Sequence, residues 1–127
     1  AGSRNVLELH GSVHRNHCER CGKFYGLDDI LRTEGVPRCS CGGIIKPDVV
    51  LYEEGLDQRT LEASVRYLAE ADMLIIGGTS LNVYPAAGLI RYYRGHKLVL
   101  INKSPVARDL AADLVITDPI GETLAQL

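Results

Sequence analysis

Four cysteines in two pairs, Cys18-x2-Cys21 and Cys39-x-Cys41, constrain this chain more than any other feature, and they are the only cysteines in it. Seventeen residues separate the pairs, and glycine follows each of them, in Cys21-Gly22-Lys23 and Cys41-Gly42-Gly43. A tetrahedral zinc site needs two thiolate pairs brought together. A small residue after each pair lets the backbone curl until its N–H groups reach the sulfurs. The alternative is a pair of disulfides, which requires an oxidising compartment, and the chain carries neither a signal-like segment nor a long apolar run. Four cysteines leave no open position for water, so the expected metal is structural, with Cys18, Cys21, Cys39 and Cys41 as ligands. His17, beside Cys18, is read as a solvated neighbour.

The cysteine-marked stretch is too small to carry a reaction, so the rest of the chain must supply the chemistry. Of 127 residues, 46% are hydrophobic, enough to bury a core, and the net charge of −2 with mixed signs gives no basic footprint for nucleic acid. Residues 5–12 read as a short apolar strand or extended stretch ending in a polar turn. Residues 13–47 form the cysteine module, and Asp48-Val-Val-Leu-Tyr52 reads as a strand. A helix follows, with Asp57 as N-cap and Leu61, Val65 and Leu68 as its apolar stripe. Three runs are apolar throughout, 73–76, 98–101 and 114–116, as parallel strands covered on both faces must be. Between them the pattern places a helix over 85–94 stopped by Gly95, and a short helix opened by Ser104 and Pro105; a last helix starts near Pro119. Alternating strands and helices with short links predict an α/β fold with a parallel sheet. Three or four such strands make only half of a doubly wound sheet, which leaves a long apolar edge open.

Two polar loops stand at adjacent strand ends, where open α/β sheets bind ligands: Gly77-Gly78-Thr79-Ser80 and Asn102-Lys103-Ser104. Glycine admits close backbone approach and the hydroxyls and amide suit a ribose, although Gly-Gly-Thr-Ser is also an ordinary turn and Asn102 an ordinary cap. No Gly-x-Gly-x-x-Gly or Walker loop is present. His10, at the end of an apolar segment and before Gly11-Ser12, is either a hydrogen-bonded structural histidine or a general base. His14, His17 and His96 are weaker candidates.

Taken in order, these segments resemble the C-terminal half of the sirtuins, the Sir2 family of NAD-dependent protein deacylases. Val6-Leu-Glu-Leu-His-Gly-Ser12 resembles their catalytic-histidine motif, and the cysteine pairs resemble their zinc ribbon. Lys46-Pro-Asp-Val-Val-Leu-Tyr-Glu-Glu54 is similar to the segment lining their acyl-lysine tunnel. Ile76 to Pro85 resembles their ribose- and peptide-binding stretch, and Leu100-Ile-Asn102 their adenosine-ribose strand end. The resemblance implies the C-terminal half of a Rossmann-like NAD-binding domain (residues 1–12 and 48–127) with an inserted zinc-ribbon module (13–47). It implies His10 as general base, Gly78, Thr79, Ser80, Asn102, Lys103 and Ile120 toward NAD+, and structural Zn2+ on the four cysteines. Val50, Leu51, Tyr52, Glu53, Glu54, Asn82, Val83 and Tyr84 would hold an acyl-lysine protein or peptide by main-chain pairing.

In the implied reaction the acyl oxygen attacks the ribose carbon as nicotinamide leaves. A neutral imidazole then takes a proton from a ribose hydroxyl, and the products are free lysine, nicotinamide and O-acyl-ADP-ribose. The sequence departs from the family in two ways. Many sirtuins have Phe-Gly-Glu where Tyr52-Glu53-Glu54 stands, and the family's diphosphate and nicotinamide loops, which precede these motifs, are absent from this chain. The expectation is therefore a fragment of a cytoplasmic protein about twice as long, inactive by itself and prone to self-association through its open sheet edge, with no nucleic-acid or membrane partner. The rival class is a non-enzymatic zinc-ribbon binding module on a nucleotide-type scaffold.

Overall fold

The gap between the cysteine pairs is closed by an antiparallel sheet. In the computed structural model, which describes residues 2–106 and 110–126, the chain divides into two compact units, Ala1–Thr60 and Leu61–Leu127. The first unit holds β1 (Gly11–Cys18), β2 (Phe24–Gly26), α1 (Leu27–Leu31) and β3 (Ile45–Val49), with the sheet ordered β2-β1-β3. Both neighbours run antiparallel to β1. The sheet crosses the boundaries expected for the cysteine module on both sides. The strand expected over 48–52 lies earlier, over 45–49, and pairs with β1 rather than joining the parallel sheet. Residues 51–54 instead form a turn, with the Glu54 N–H donating to the Leu51 carbonyl at 3.2 Å. Residues 5–10 are likewise irregular, and pairing begins only at Gly11.

The register of β1 on β3 breaks in the middle. Ser12 faces Asp48 and the next partner of β3, Pro47, faces Asn16, so residues 13–15 bulge out of the ladder. A bulge is where a proline, with no N–H to give, is tolerated within a sheet. Two buried polar side chains hold it: Asn16 Nδ2 donates to the Val13 carbonyl at 3.0 Å, and Ser12 Oγ accepts the His14 N–H at 3.2 Å.

Helix α2 (Gln58–Glu70) begins at the end of the first unit and continues into the second. Asp57 caps it as expected: Oδ2 accepts the Thr60 N–H at 2.7 Å and the Thr60 hydroxyl at 2.9 Å. In the second unit β4 (Leu74–Gly77), β5 (Leu98–Ile101) and β6 (Leu114–Ile116) form a parallel sheet in the order β4-β5-β6. Ile76, Leu81, Ala87 and Leu100 form its buried core. Much of the apolar strand surface is nevertheless open, with Ile75 49% and Val115 55% exposed.

The helix expected over 85–94 is a 3-10 helix, Ala86–Tyr92, with Gly88 inside it. Gly95 does not cap it. The chain is already extended at Tyr93, and a Cβ on Gly95 would stand 2.4 Å from the Tyr93 hydroxyl, so glycine is needed there for close approach. The final helix α3 (Ile120–Leu124) starts after Pro119 as expected. The helix expected after Ser104–Pro105 runs into residues 107–109, outside the described residues, and Ser104–Val106 is irregular.

Candidate functional site

Each cysteine pair sits on a tight backbone knuckle. The Gly22 N–H returns to the Cys18 carbonyl and the Gly42 N–H to the Cys39 carbonyl, both at 2.8 Å, with φ of +72° and +82°. The glycine after each pair is thus used as the sequence implied, in a left-handed conformation that other residues adopt only at a cost. Gly43 is required for a second reason: a Cβ there would lie 2.6 Å from Cys18 Sγ.

The knuckles bring the four Sγ atoms within 4.8 Å of one another. Cys18 to Cys41 is 3.5 Å and Cys21 to Cys39 is 3.6 Å. A tetrahedral zinc thiolate site, with bonds near 2.3 Å, has an edge of about 3.8 Å. All four are free cysteines. Donor type, number and spacing therefore fit a closed zinc site.

The electrostatics point the same way. The Cys41 N–H, helped by the Tyr25 hydroxyl, holds the Cys39 thiol down to about 5. Burial works against ionising Cys18, but the N–H groups of Cys21 and Arg20 outweigh it and lower its pKa. Cys41 receives the Gly43 N–H, yet the neighbouring sulfurs of Cys18 and Cys39 push it up to about 12. Four thiolates this close cannot all ionise unless a cation joins them. His17 does not enter the cluster; its ring meets Phe24 edge-on at 5.5 Å. Tyr25, whose hydroxyl bonds Cys39 and whose own pKa is thereby raised to about 12, was not singled out from the sequence. It lies in the spacer, where only the fold aims it at a ligand.

His10 is exposed, on the turn just before β1. Its carbonyl accepts the Val50 N–H at 3.0 Å, and the Gly11 N–H reaches back to the Glu8 carbonyl at 2.9 Å. Gly11, at φ +75°, passes so close to β3 that a Cβ would fall 1.8 Å from the Asp48 carbonyl oxygen. The His10 backbone is therefore anchored while its ring stays accessible.

Beyond His10's partner Val50, the segment expected to meet substrate is largely open: Leu51 is 55% exposed and the Tyr52 side chain stands fully in solvent. Glu53 has φ +69°, the left-handed region that favours glycine, at the position where many sirtuins carry glycine. Glu54 turns back into its own loop, its Oε2 accepting the Leu51 N–H at 2.9 Å and Lys46 Nζ at 3.0 Å. The Leu51 N–H first, and Lys46 second, hold the Glu54 carboxyl below its ordinary range. In the second unit Asn82, Val83 and Tyr84 are exposed, ahead of a cis peptide between Tyr84 and Pro85.

A cleft of ≈ 530 Å³ opens over the carboxyl ends of β4 and β5 in the second unit. All six residues expected toward NAD, Gly78, Thr79, Ser80, Asn102, Lys103 and Ile120, line it. Ile101, Ser104, Pro105, Pro119 and Gly121 complete the wall; Ser104 belongs to the second polar loop read from the sequence, whereas Pro105 entered that reading only as the start of a helix. Its geometry has identifiable causes. Gly78 lies at φ +61°, and the Leu81 N–H donates to Thr79 Oγ1 at 3.2 Å. Asn102 Nδ2 donates to the Ser104 carbonyl at 2.7 Å. Gly77 lets the Ile120 side chain lie close against β4: a Cβ there would stand 2.2 Å from Ile120 Cδ1 and would push that methyl aside.

Comparison with known proteins gives a consistent result. Residues 1–85 match the Sir2 family. The chain is 62% identical over 126 residues to an NAD-dependent protein deacetylase of Clostridium acetobutylicum, covering 98% of this chain and 51% of that protein. It is 57% identical over 125 residues to one of Cutibacterium acnes, again covering 98% and 51%. Among solved structures it resembles Sir2Tm bound to a propionylated peptide, with a TM-score of 0.88, 35% identity and coverage of 98% of this chain and 55% of that one. A Sir2 complex with an inhibitor, 2'-O-acetyl-ADP-ribose and a deacetylated p53 peptide gives a TM-score of 0.86 at 35% identity, covering 98% and 56%. The chain spans about half the length of the relatives it matches. With the four-cysteine cluster, the cleft and these matches together, the chain belongs to the Sir2 family.

Proposed function

We propose that the intact protein containing this chain removes acetyl groups from protein lysines, consuming NAD+ and releasing nicotinamide and O-acetyl-ADP-ribose. The observation that carries this reading is the cleft at the carboxyl ends of β4 and β5, where glycine, hydroxyl and amide groups converge as a ribose requires. The relatives' description as NAD-dependent protein deacetylases supports it.

Each part of the chain has a role in this proposal. Gly78 gives the backbone room, while Thr79, Ser80 and Asn102 supply hydrogen-bonding groups to the adenosine side of the dinucleotide, with Lys103 and Ile120 on the cleft wall. His10 acts as general base toward a ribose hydroxyl, its backbone fixed and its ring free to turn. Val50 to Glu54 in the first unit serve the acyl-lysine substrate, and so do Asn82 to Tyr84 in the second; each segment exposes apolar side chains, Leu51 in the one and Val83 and Tyr84 in the other. Zinc on Cys18, Cys21, Cys39 and Cys41 supplies folding energy and no chemical step. The organisation proposed is an NAD-binding domain of residues 1–12 and 48–127 carrying the module 13–47.

The protein so read works in the cytoplasm; no helix among the described residues is long and apolar enough to cross a membrane. The isolated chain is inactive and associates through the edges of its three-stranded parallel sheet.

The test is the intact protein incubated with an acetyl-lysine peptide, with and without NAD+, followed by mass spectrometry. Stoichiometric loss of acetyl and appearance of O-acetyl-ADP-ribose are expected. Deacetylation without NAD+, or NAD+ cleavage that leaves the peptide acetylated, overturns the reading.

A further inference from the structure

Arg15 is the middle residue of an ion trio that the site described above does not use. Its Nη1 donates to Glu8 Oε2 at 2.6 Å and its Nε to Asp48 Oδ2 at 2.8 Å. These partners stand on the two sides of the His10 turn. Glu8 is two residues before His10, and its carbonyl receives the Gly11 N–H; Asp48 is on β3, two residues before Val50, whose N–H bonds the His10 carbonyl. Arg15 belongs to the bulge 13–15, and Asn16 and Ser12 fix that bulge from buried positions. Bulges re-aim side chains, and this one turns a guanidinium across the sheet toward both carboxylates. The planar fork offers two donors in fixed directions, which an ammonium cannot.

We propose that Arg15 is a positioning residue for His10: by bridging Glu8 to Asp48 it clamps the His10 turn onto β3. The clamp complements the contact Gly11 makes with Asp48, which sets how close the two segments come but gives the Glu8 side chain no link of its own to β3. All three side chains are about half exposed, at 43%, 40% and 50%. One such pair shifts an equilibrium by at most about fivefold, so two sharing a guanidinium set an expected effect of about 3–10-fold.

The consequence for turnover rests on His10 being the base, so the experiment has one arm that does not. In the intact protein, Arg15→Met, Arg15→Lys and the double variant Glu8→Gln/Arg15→Met are compared with wild type. The readouts are kcat, the KM for acetyl-peptide, zinc content and residue-resolved amide hydrogen exchange. Arg15→Met is expected to lower kcat about 3–10-fold, leave KM and zinc content unchanged, and speed exchange at Val50 without affecting Cys18 or Ile45. Arg15→Lys should recover part of the loss, and the double variant should lose no more than Arg15→Met. Unchanged exchange at Val50 overturns the proposal, and so does a loss of kcat accompanied by zinc release or a uniform rise in exchange. Should the wild-type protein show no NAD-dependent turnover, the deacetylase reading falls, while exchange at Val50 still decides whether Arg15 holds the turn.

Discussion

Gly11→Ala tests the anchoring of the His10 turn most directly, because its cost can be worked from two separate terms. The first is conformational: at φ +75° a residue with a Cβ carries about 1–2 kcal/mol of steric penalty. The second is a clash. The new methyl would lie 1.8 Å from the Asp48 carbonyl oxygen and 2.7 Å from its carbon, both backbone atoms that no rotamer change can move. β1 and β3 must separate by more than 1 Å to restore a normal contact. That breaks the Gly11–Val49 pairing and the bond from the Val50 N–H to the His10 carbonyl, at about 0.5–1.5 kcal/mol for each hydrogen bond. The sum is about 2–5 kcal/mol, at its upper end among the larger effects of single substitutions. Gly22→Ala is the internal control. Its φ of +72° is nearly the same, but a Cβ there meets nothing within 4 Å, so only the first term applies, about 1–2 kcal/mol. Urea denaturation of both zinc-loaded variants, followed by circular dichroism, measures the difference. Equal losses in the two would refute the close approach of Gly11 to β3.

Other expectations concern metal, pH, strain and catalysis. The purified protein should carry about one zinc per chain, and Cys39→Ala should release it and destabilise the first unit; elemental analysis and thermal melting check both. The Asp57 carboxyl is held below its ordinary range by the Thr60 N–H first and the Thr60 hydroxyl second. A carboxyl whose folded pKa is depressed contributes stability that is complete above its unfolded value near pH 4 and fades as pH falls through the folded value. Wild type should therefore lose more stability than Asp57→Asn between pH 5 and pH 2, and parallel curves would contradict the cap. Glu53→Gly should be neutral or stabilising by up to about 1 kcal/mol, since relief of the left-handed strain is partly offset by the added freedom of glycine in the unfolded chain. In the intact protein, His10→Ala should lower kcat about 10²–10⁴-fold with zinc content intact, while nicotinamide exchange, which precedes the base-catalysed step, is better preserved; near-normal kcat would make His10 a structural histidine.

What could be read from the sequence follows the range of the physics involved. The zinc cluster was legible because its chemistry is local: two cysteine pairs and the glycines of their knuckles are contiguous in the chain. Strands β4 to β6 were legible because each is an uninterrupted apolar run between polar loops, although Ile75, Leu114 and Val115 stay about half exposed. Asp57 was legible because a helix cap is decided within four residues. The failures lie where a distant partner decides. Residues 48–52 carry strand propensity, yet the strand sits at 45–49, because β1 sets its register and Glu54 closes the following loop through the Leu51 N–H and Lys46. Gly95 looked like a helix stop and is instead a space for the Tyr93 ring, whose hydroxyl bonds the Lys97 main chain at 2.9 and 3.0 Å. Tyr25 and Arg15 carry no periodic signal, and each acts on a residue brought near by folding.

The topology of the first unit also ties the two ends of β1 to each other. At one end of this eight-residue strand is Cys18, a candidate zinc ligand; at the other is Gly11, next to His10. β3 repeats the arrangement antiparallel, with Ile45 packed on Cys18 and Cys39 and Val49 just before the residue that bonds the His10 carbonyl. Because the five-residue β3 faces both ends of β1, the cysteine end of the ladder is only about 13 Å from the Gly11 end, still beyond the Debye length of about 8 Å that screens charges at physiological salt. The link between them is mechanical, a ladder interrupted by the bulge at 13–15. Fraying that starts at the cysteines must pass the bulge before it reaches His10, and beyond the bulge the close contact of Gly11 with Asp48 and the Glu8–Arg15–Asp48 bridge resist it. A chelator should therefore raise hydrogen exchange first at Cys18 and Ile45 and only later at Val50. Simultaneous loss of protection at all three would mean that the bulge does not divide the sheet and that the cysteine cluster alone holds the His10 turn in place.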